Sequence, residues 1–158
     1  MRRFGYWIIV LALALLCACT PVPQEATNAW SLTYRGVELT IGDAADGVIA
    51  QLGNDYTMSE AESCAGQGTD RMYTYPSVRL YVFAPVDGAA VISSVSYIDD
   101  GVKTAEGLGI GCSSAEVLST LGDADEANDV WLVYRGKGSV LTFGLRDGVV
   151  VSIELAGD

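Results

Sequence analysis

Two stretches of this chain repeat one another. Residues 110–122, IGCSSAEVLSTLG, align without a gap on residues 41–53, IGDAADGVIAQLG. Ile41, Gly42, Leu52 and Gly53 recur as Ile110, Gly111, Leu121 and Gly122, while Val48 and Ile49 match Val117 and Leu118. In each copy an Ile-Gly closes an extended piece and a polar residue takes the N-cap position. The apolar residues that follow are spaced i, i+1, i+4, which is one face of a helix. A glycine then ends the helix, because it adopts the left-handed conformation at little cost. A duplicated strand-to-helix junction constrains the fold strongly, since each copy needs a sheet to bury its helix against.

The residues after each junction supply that sheet. Helix one is expected over about 43–52, weakened by Gly47 in its interior, and helix two over about 113–121. After the first come a poorly patterned piece with a short strand near 55–59, then strands at 71–75, 78–83 and 91–98. Pro76-Ser77 and Asp87-Gly88 separate the last three. After the second comes a polar loop over 123–129, then strands at 130–134, 140–145 and 149–155. In the last of these Val149, Val151, Ile153 and Leu155 alternate with polar residues, the mark of a half-buried antiparallel strand. Residues 30–40 read as an extended lead-in. The expectation is an α+β fold of two tandem repeats, 30–101 and 102–158, each a short helix packed on a three-stranded antiparallel sheet.

The N-terminus reads as an address. Arg2 and Arg3 precede an apolar run over 4–16 that is too short to span a bilayer comfortably, so a signal peptide over 1–18 is expected. Residues 20–29, TPVPQEATNA, are polar and proline-bearing and read as a flexible tether. The chain has 9 basic against 20 acidic residues, and losing 1–18 removes two arginines and no acid. An acidic surface repels nucleic acid and anionic headgroups, so nucleic-acid binding is not expected.

Four cysteines and no histidine complete the chemistry. Without histidine there is no His-based triad, general base or metal ligand, and neither Cys64 nor Cys112 has an activating imidazole. Cys17 lies in the signal segment. In an exported chain Cys64 and Cys112 are most simply a disulfide joining the two repeats; two free thiols are the alternative. Asp123, Asp125 and Asn128 hint at a calcium loop, but Ala127 and Asn128 stand where an EF-hand needs an oxygen ligand and a glycine. Glu60 and Glu62 have no visible catalytic partner. No catalytic residue, cofactor or metal site is expected, and the chain is read as a non-enzyme.

Two resemblances bear on these readings. Leu16-Cys17-Ala18-Cys19 resembles the lipobox of bacterial lipoproteins, which implies cleavage after Ala18 and a diacylglycerol anchor on Cys19. Thus anchored, the protein would sit on the outer face of the cell membrane, with the lipid bilayer as one partner. The unit of Ile-Gly, short helix, Leu-Gly and meander ending in Asp-Gly resembles the repeat of the β-lactamase inhibitor protein (BLIP) and BamE (SmpA-OmlA) superfamily. It is also similar to uncharacterised lipoproteins of clostridial bacteria, through Ser63-Cys64-Ala65, Asp70, Tyr73, Thr74 and Tyr75. The resemblance implies a protein-binding role without catalysis, through a sheet face and its loops. Hydrolase inhibition or envelope assembly is the alternative, and metal or glycan binding a lesser one.

The aromatic residues are where a partner would be sought. Tyr73 and Tyr75 share one strand face, and Arg79, Tyr81 and Phe83 share another, turned outward if Val78, Leu80 and Val82 face the core. Trp131 and Tyr134 lie on the corresponding strand of the second repeat. Tyr, Trp and Arg dominate protein interfaces. Tyr73, Tyr75, Arg79, Tyr81, Trp131 and Tyr134 are therefore candidates for one partner-binding face, with packing inside the sheet as the competing reading.

Overall fold

A computed structural model describes residues 29–64 and 67–158. The signal segment, Cys19 and most of the tether lie outside the described residues. The chain opens on a β-hairpin, β1 (Ser31–Tyr34) and β2 (Val37–Thr40), turned by Arg35 and Gly36, both at positive φ. Helix α1 (Ala45–Leu52) follows, then strands β3 (Thr57–Glu62), β4 (Gly68–Thr74), β5 (Val78–Pro85) and β6 (Val91–Tyr97). Helix α2 (Ser114–Leu121) leads into β7 (Glu126–Ala127), β8 (Trp131–Gly136), β9 (Ser139–Arg146) and β10 (Val149–Gly157).

The expected fold class does not hold. The chain is mostly β, and eight strands form one antiparallel sheet in the order β3-β4-β5-β6-β10-β9-β8-β7. Two features separate it from two helix-on-three-strand units. Each half carries a fourth strand at its outer edge, β3 or β7. The inner edges then merge, because β6 pairs with β10 from Tyr97↔Ile153 to Ser94↔Ala156. The outer strands are unreadable by hydrophobic period because all their positions are exposed. The lead-in is no single extended piece either: Leu32, Tyr34 and Leu39 of its hairpin are buried in the core.

The duplicated junctions do adopt the same geometry. Gly42 N–H donates to the Ile92 carbonyl at 2.9 Å, and Gly111 N–H to the Val150 carbonyl at 2.8 Å. Ala45 N–H donates to the Ala90 carbonyl and Ser114 N–H to the Gly148 carbonyl, at 2.9 and 2.8 Å. Each helix stops on a positive-φ glycine, Gly53 at φ 82°, ψ −173° and Gly122 at φ 84°, ψ −164°, an extended conformation open to glycine and not the left-handed helical end expected.

One core serves the whole sheet. Val78, Leu80 and Val82 of β5, Val95 and Tyr97 of β6, Leu141 and Phe143 of β9, and Ile153 and Leu155 of β10 are all buried on one face. The hairpin β1–β2 and both helices cover that face. Helix α1 contributes Ala45, Val48 and Leu52, whereas α2 buries only Val117 fully.

The helices also differ at their starts. Ser113 caps α2 reciprocally: its hydroxyl accepts from Glu116 N–H at 3.2 Å, and the Glu116 carboxylate accepts from Ser113 N–H at 2.7 Å. That second bond holds the Glu116 carboxyl below its ordinary pKa. The repeat equates Ala44 with Ser113 and Gly47 with Glu116, so α1 lacks both parts of the box. A Cβ at Gly47 would meet nothing within 4 Å. Ala44→Ser/Gly47→Glu is expected to stabilise the domain by about 1–2 kcal/mol, from the cap and from removing a helical glycine. Urea unfolding should show a higher midpoint at unchanged m.

The two cysteines are unpaired, contrary to the simpler expectation of a disulfide. Cys64 is exposed past the end of β3 at the outer edge of the sheet. Cys112 is half-buried at the entry to α2, where its sulfur accepts from Gly109 N–H at 3.3 Å. The two positions belong to opposite halves of the sheet, and the merged sheet rather than a covalent stitch joins those halves.

Candidate partner-binding face

Strand register decides which aromatic residues share a face. Opposed residues of paired strands point the same way, so a buried residue assigns its partner. Tyr73 lies opposite Leu80, which is fully buried, and therefore points to the core side. There it packs edge-on to Tyr56 with ring centroids 5.0 Å apart. Tyr75 is 1% exposed, and Tyr134 faces Leu141 and is 4% exposed.

These last two are structural tyrosines with matching tasks. Tyr75 donates its hydroxyl to the Gly53 carbonyl at 3.2 Å and Tyr134 to the Gly122 carbonyl at 3.0 Å. Each thereby satisfies a carbonyl at the end of a helix. Burial pushes both phenols up, Tyr75 to about 12. The expected common face of six residues is corrected accordingly: Tyr73, Tyr75 and Tyr134 belong to the core side, and half of the set remains.

Arg79, Tyr81 and Trp131 are on the opposite face. Tyr81 lies opposite Met72 on one side and Ser94 on the other, and Arg79 opposite Thr74 and Ser96. Trp131 faces Gly144, which faces Ser152 in turn. No described element packs over this side of the sheet. Trp131 is 43% exposed, and Tyr81 and Phe83 are half-buried only by their neighbours. The centre of the face is low, built of Ser94, Ser96, Ser152 and Gly144, so Tyr81 and Trp131 stand on either side of it.

The face is concave beside Tyr81. A groove of about 630 Å³ lies between the β3–β4 hairpin and the centre of the sheet, lined by Ser59, Ala61, Asp70, Met72, Tyr81 and Glu154 among others. A bulge in β6, where the register with β5 shifts between Tyr81 and Val82, adds Ser93 to its wall. Glu154 accepts from the Ser94 hydroxyl at 2.9 Å. Sequence reasoning missed Met72, Asp70 and Glu154, which come together only through register; the alternation of β10 did mark Glu154 as outward.

The acidic loop has a structural occupation. Asn128 Oδ1 accepts from Val130 N–H at 2.8 Å and Trp131 N–H at 2.9 Å, and Asp125 accepts from Arg135 N–H at 2.6 Å. These side chains close the turn into β8 and compete with any cation for the same oxygens. Among the described residues, no group of three or more His, Cys, Asp or Glu is placed to hold a metal ion.

No family model matches the chain, and no curated protein matches it. Among solved structures it is similar to an extracellular protein containing a SCP domain from Bacillus anthracis str. Ames, at 11% identity and a TM-score of 0.43. The match covers 75% of this chain and 44% of that one, so the chain spans under half the length of its neighbour.

Proposed function

We propose that this protein is a membrane-anchored extracytoplasmic lipoprotein that works by binding another protein, without catalysis, through the open face of its sheet. The observation that carries the reading is the uncovered face itself. An eight-stranded sheet with one face packed leaves the other to water, and such faces are ordinarily polar. Here it presents Tyr81, Phe83, Met72 and Trp131, with Arg79 beside them. Aromatic residues and arginine are enriched at the centres of interfaces because they bury large areas at small entropic cost.

Other features agree. The lipobox-like Leu16 to Cys19 and the polar tether support anchoring at Cys19. Described structure begins near Trp30, whose N–H donates to the Ser139 hydroxyl at 2.9 Å beside the β8–β9 turn. The described chain therefore enters the domain at that end of the sheet.

The test is an in-cell cross-linking pull-down of the full tagged chain against its Tyr81→Ser/Trp131→Ser variant. Loss of one dominant envelope or extracellular protein is expected, at a melting temperature within a few degrees of the parent, since exposed substitutions usually cost little. A large fall in melting temperature would instead make both residues structural. Unchanged capture would sink the proposed face.

A further inference from the structure

We infer that a slot beside α2, on the helix side of the sheet, binds a small organic amine with an aromatic body. The site is separate from the open face and stands whether or not that face binds a protein. The chain's own duplication carries the inference, because the first half shows what fills the same space.

The matching tyrosines align the halves. Tyr75 and Tyr134 bond equivalent helix ends, so counting back along β4 and β8 sets Tyr73 against Leu132 and Arg71 against Val130. The ladders extend the alignment outward: Met58 lies opposite Tyr73 as Ala127 lies opposite Leu132. Two residues further along the outer strand, Glu60 is set against Asp129. Tyr73 and Leu132 lie opposite the buried Leu80 and Phe143, so these positions turn toward the helices.

In the first half that side is filled. Arg71 pairs with Glu60 at 2.6 Å and has Tyr73 as a further polar neighbour, while the Tyr73 ring packs on Tyr56. In the second half each large side chain gives way to a smaller one. Ala127 stands for Met58, Val130 for Arg71 and Leu132 for Tyr73. The outer strand is also cut short, since β7 has two residues where β3 has six.

What remains is a slot of about 580 Å³ between α2, the β7–β8 turn and the β9–β10 turn. Leu118, Leu132 and Leu145 form its apolar part, and Leu118 is left 37% exposed. Val130, whose carbonyl accepts from Leu145 N–H at 2.7 Å, is 53% exposed in the adjoining turn. Asp129 and Asp147 add carboxylates to the wall. Asp129 keeps the acid of the Glu60–Arg71 pair without its arginine, and among the described residues neither aspartate has a cation within 4 Å.

The chemistry of the ligand follows from what the second half has lost. The missing groups are part of a ring, a thioether and a guanidinium, which together make an apolar body with one positive charge. The slot has the volume of a small-molecule site. Two carboxylates above an apolar floor supply too few oxygens for a hard metal ion, whereas an ammonium on an aromatic stem uses both parts of the wall.

The probe is phenethylamine, titrated into the full chain and followed by amide chemical shifts. Saturable shifts are expected at Leu118, Ala127 to Asp129, Leu132 and Gly148, with affinity falling as salt rises. Phenylacetate, with the same ring and the opposite charge, should not bind. Ethylamine, with the charge and no ring, should bind at least tenfold more weakly. Ala127→Met/Val130→Arg restores two first-half side chains and should abolish the shifts at an unchanged or higher melting temperature. Asp129→Asn/Asp147→Asn should weaken binding at least tenfold, against less than twofold for Asp46→Asn/Asp87→Asn, which removes the same charge from the first half. No saturable shift, equal losses in the two neutralised pairs, or undiminished binding by the filled variant would overturn the inference. Acetyl-Phe-Lys amide binding tenfold more tightly than phenethylamine would overturn the assignment to a free amine in favour of a polypeptide. Tyr81→Ser should leave phenethylamine binding within twofold, whatever it does in the pull-down, so the two sites fail or stand separately.

Discussion

Phe143→Ala is expected to destabilise the domain by about 3–5 kcal/mol, enough to leave much of the chain unfolded at physiological temperature. Phe143 is 0% exposed at the middle of β9, with Leu132 opposite on β8 and Ile153 opposite on β10. Its ring meets Tyr134 edge-on at 6.0 Å. Truncation removes the transfer free energy of a buried ring and leaves a cavity walled by strands fixed on both sides by ladder hydrogen bonds. Such a wall relaxes poorly, which places the cost toward the upper part of the range. Urea denaturation followed by circular dichroism measures it. A loss below about 1 kcal/mol would mean that the second half of the core is loosely packed.

Tyr97→Phe should cost about 2–4 kcal/mol although it deletes a single oxygen. Tyr97 is 2% exposed, and its hydroxyl donates to the Thr33 carbonyl at 2.8 Å, with the Lys103 carbonyl at 3.2 Å. The same oxygen accepts from Thr33 N–H at 3.2 Å. Phenylalanine would leave these backbone groups of β1 and the 98–110 segment without their partner inside the protein, at about 1–3 kcal/mol for each buried group. The hairpin should loosen first, visible as faster amide exchange at Leu32 to Tyr34. The hydroxyl also makes the domain sensitive to alkali. Burial pushes the Tyr97 phenol above its ordinary value of 10.0. The unfolded chain therefore releases its proton at lower pH than the folded one, and this contribution is complete below pH 10 and declines as pH rises above it. A parent protein that loses stability above pH 10 more steeply than Tyr97→Phe would show the effect.

How much could be read in advance divides along the line between local and non-local physics. Helix α2 was legible because cap, apolar spacing and stop glycine all lie within a dozen residues; α1, whose N-cap is Ala44 and not the polar residue expected, was legible from spacing and stop glycine alone. Expected spans of 43–52 and 113–121 compare with Ala45–Leu52 and Ser114–Leu121. Strands β5 and β9 were legible through alternation; in β10 it held for Ile153 and Leu155, but a bulge between Val150 and Ser152 buries Val150 and leaves Val149 and Val151, expected on the core face, exposed. Strand β3, TMSEAE, carries no such signal, since it is exposed throughout and owes its place to pairing with β4. The pairing of β6 with β10 joins residues about 60 positions apart, and neither strand records which of its edges will be covered.

The candidate face failed for a related reason. Tyr73 and Tyr75 share a side, as do Arg79, Tyr81 and Phe83, but whether the two sets coincide depends on the parity of the turn between them. In the observed register Thr74 meets Arg79 and Tyr73 meets Leu80, which sends the tyrosines inward. A one-residue slip would have reversed the answer. Tyr134 was misplaced by simpler arithmetic, because it is three residues from Trp131 and odd separations alternate sides.

The position of β10 has a consequence for the order in which the molecule can assemble. The strand that comes last in the described chain occupies the middle of the sheet, between β6 and β9. As the polypeptide emerges from a ribosome, residues 30–101 can close their own meander, yet β6 keeps an open flank until residues 149–157 arrive. The first half must therefore wait, with Val95 and Tyr97 incompletely covered, for a contact of long sequence separation that closes slowly. Threading is complete before the centre locks. Until then the open flank of β6 is an unpaired edge, the kind that pairs elsewhere unless like charges keep other chains away.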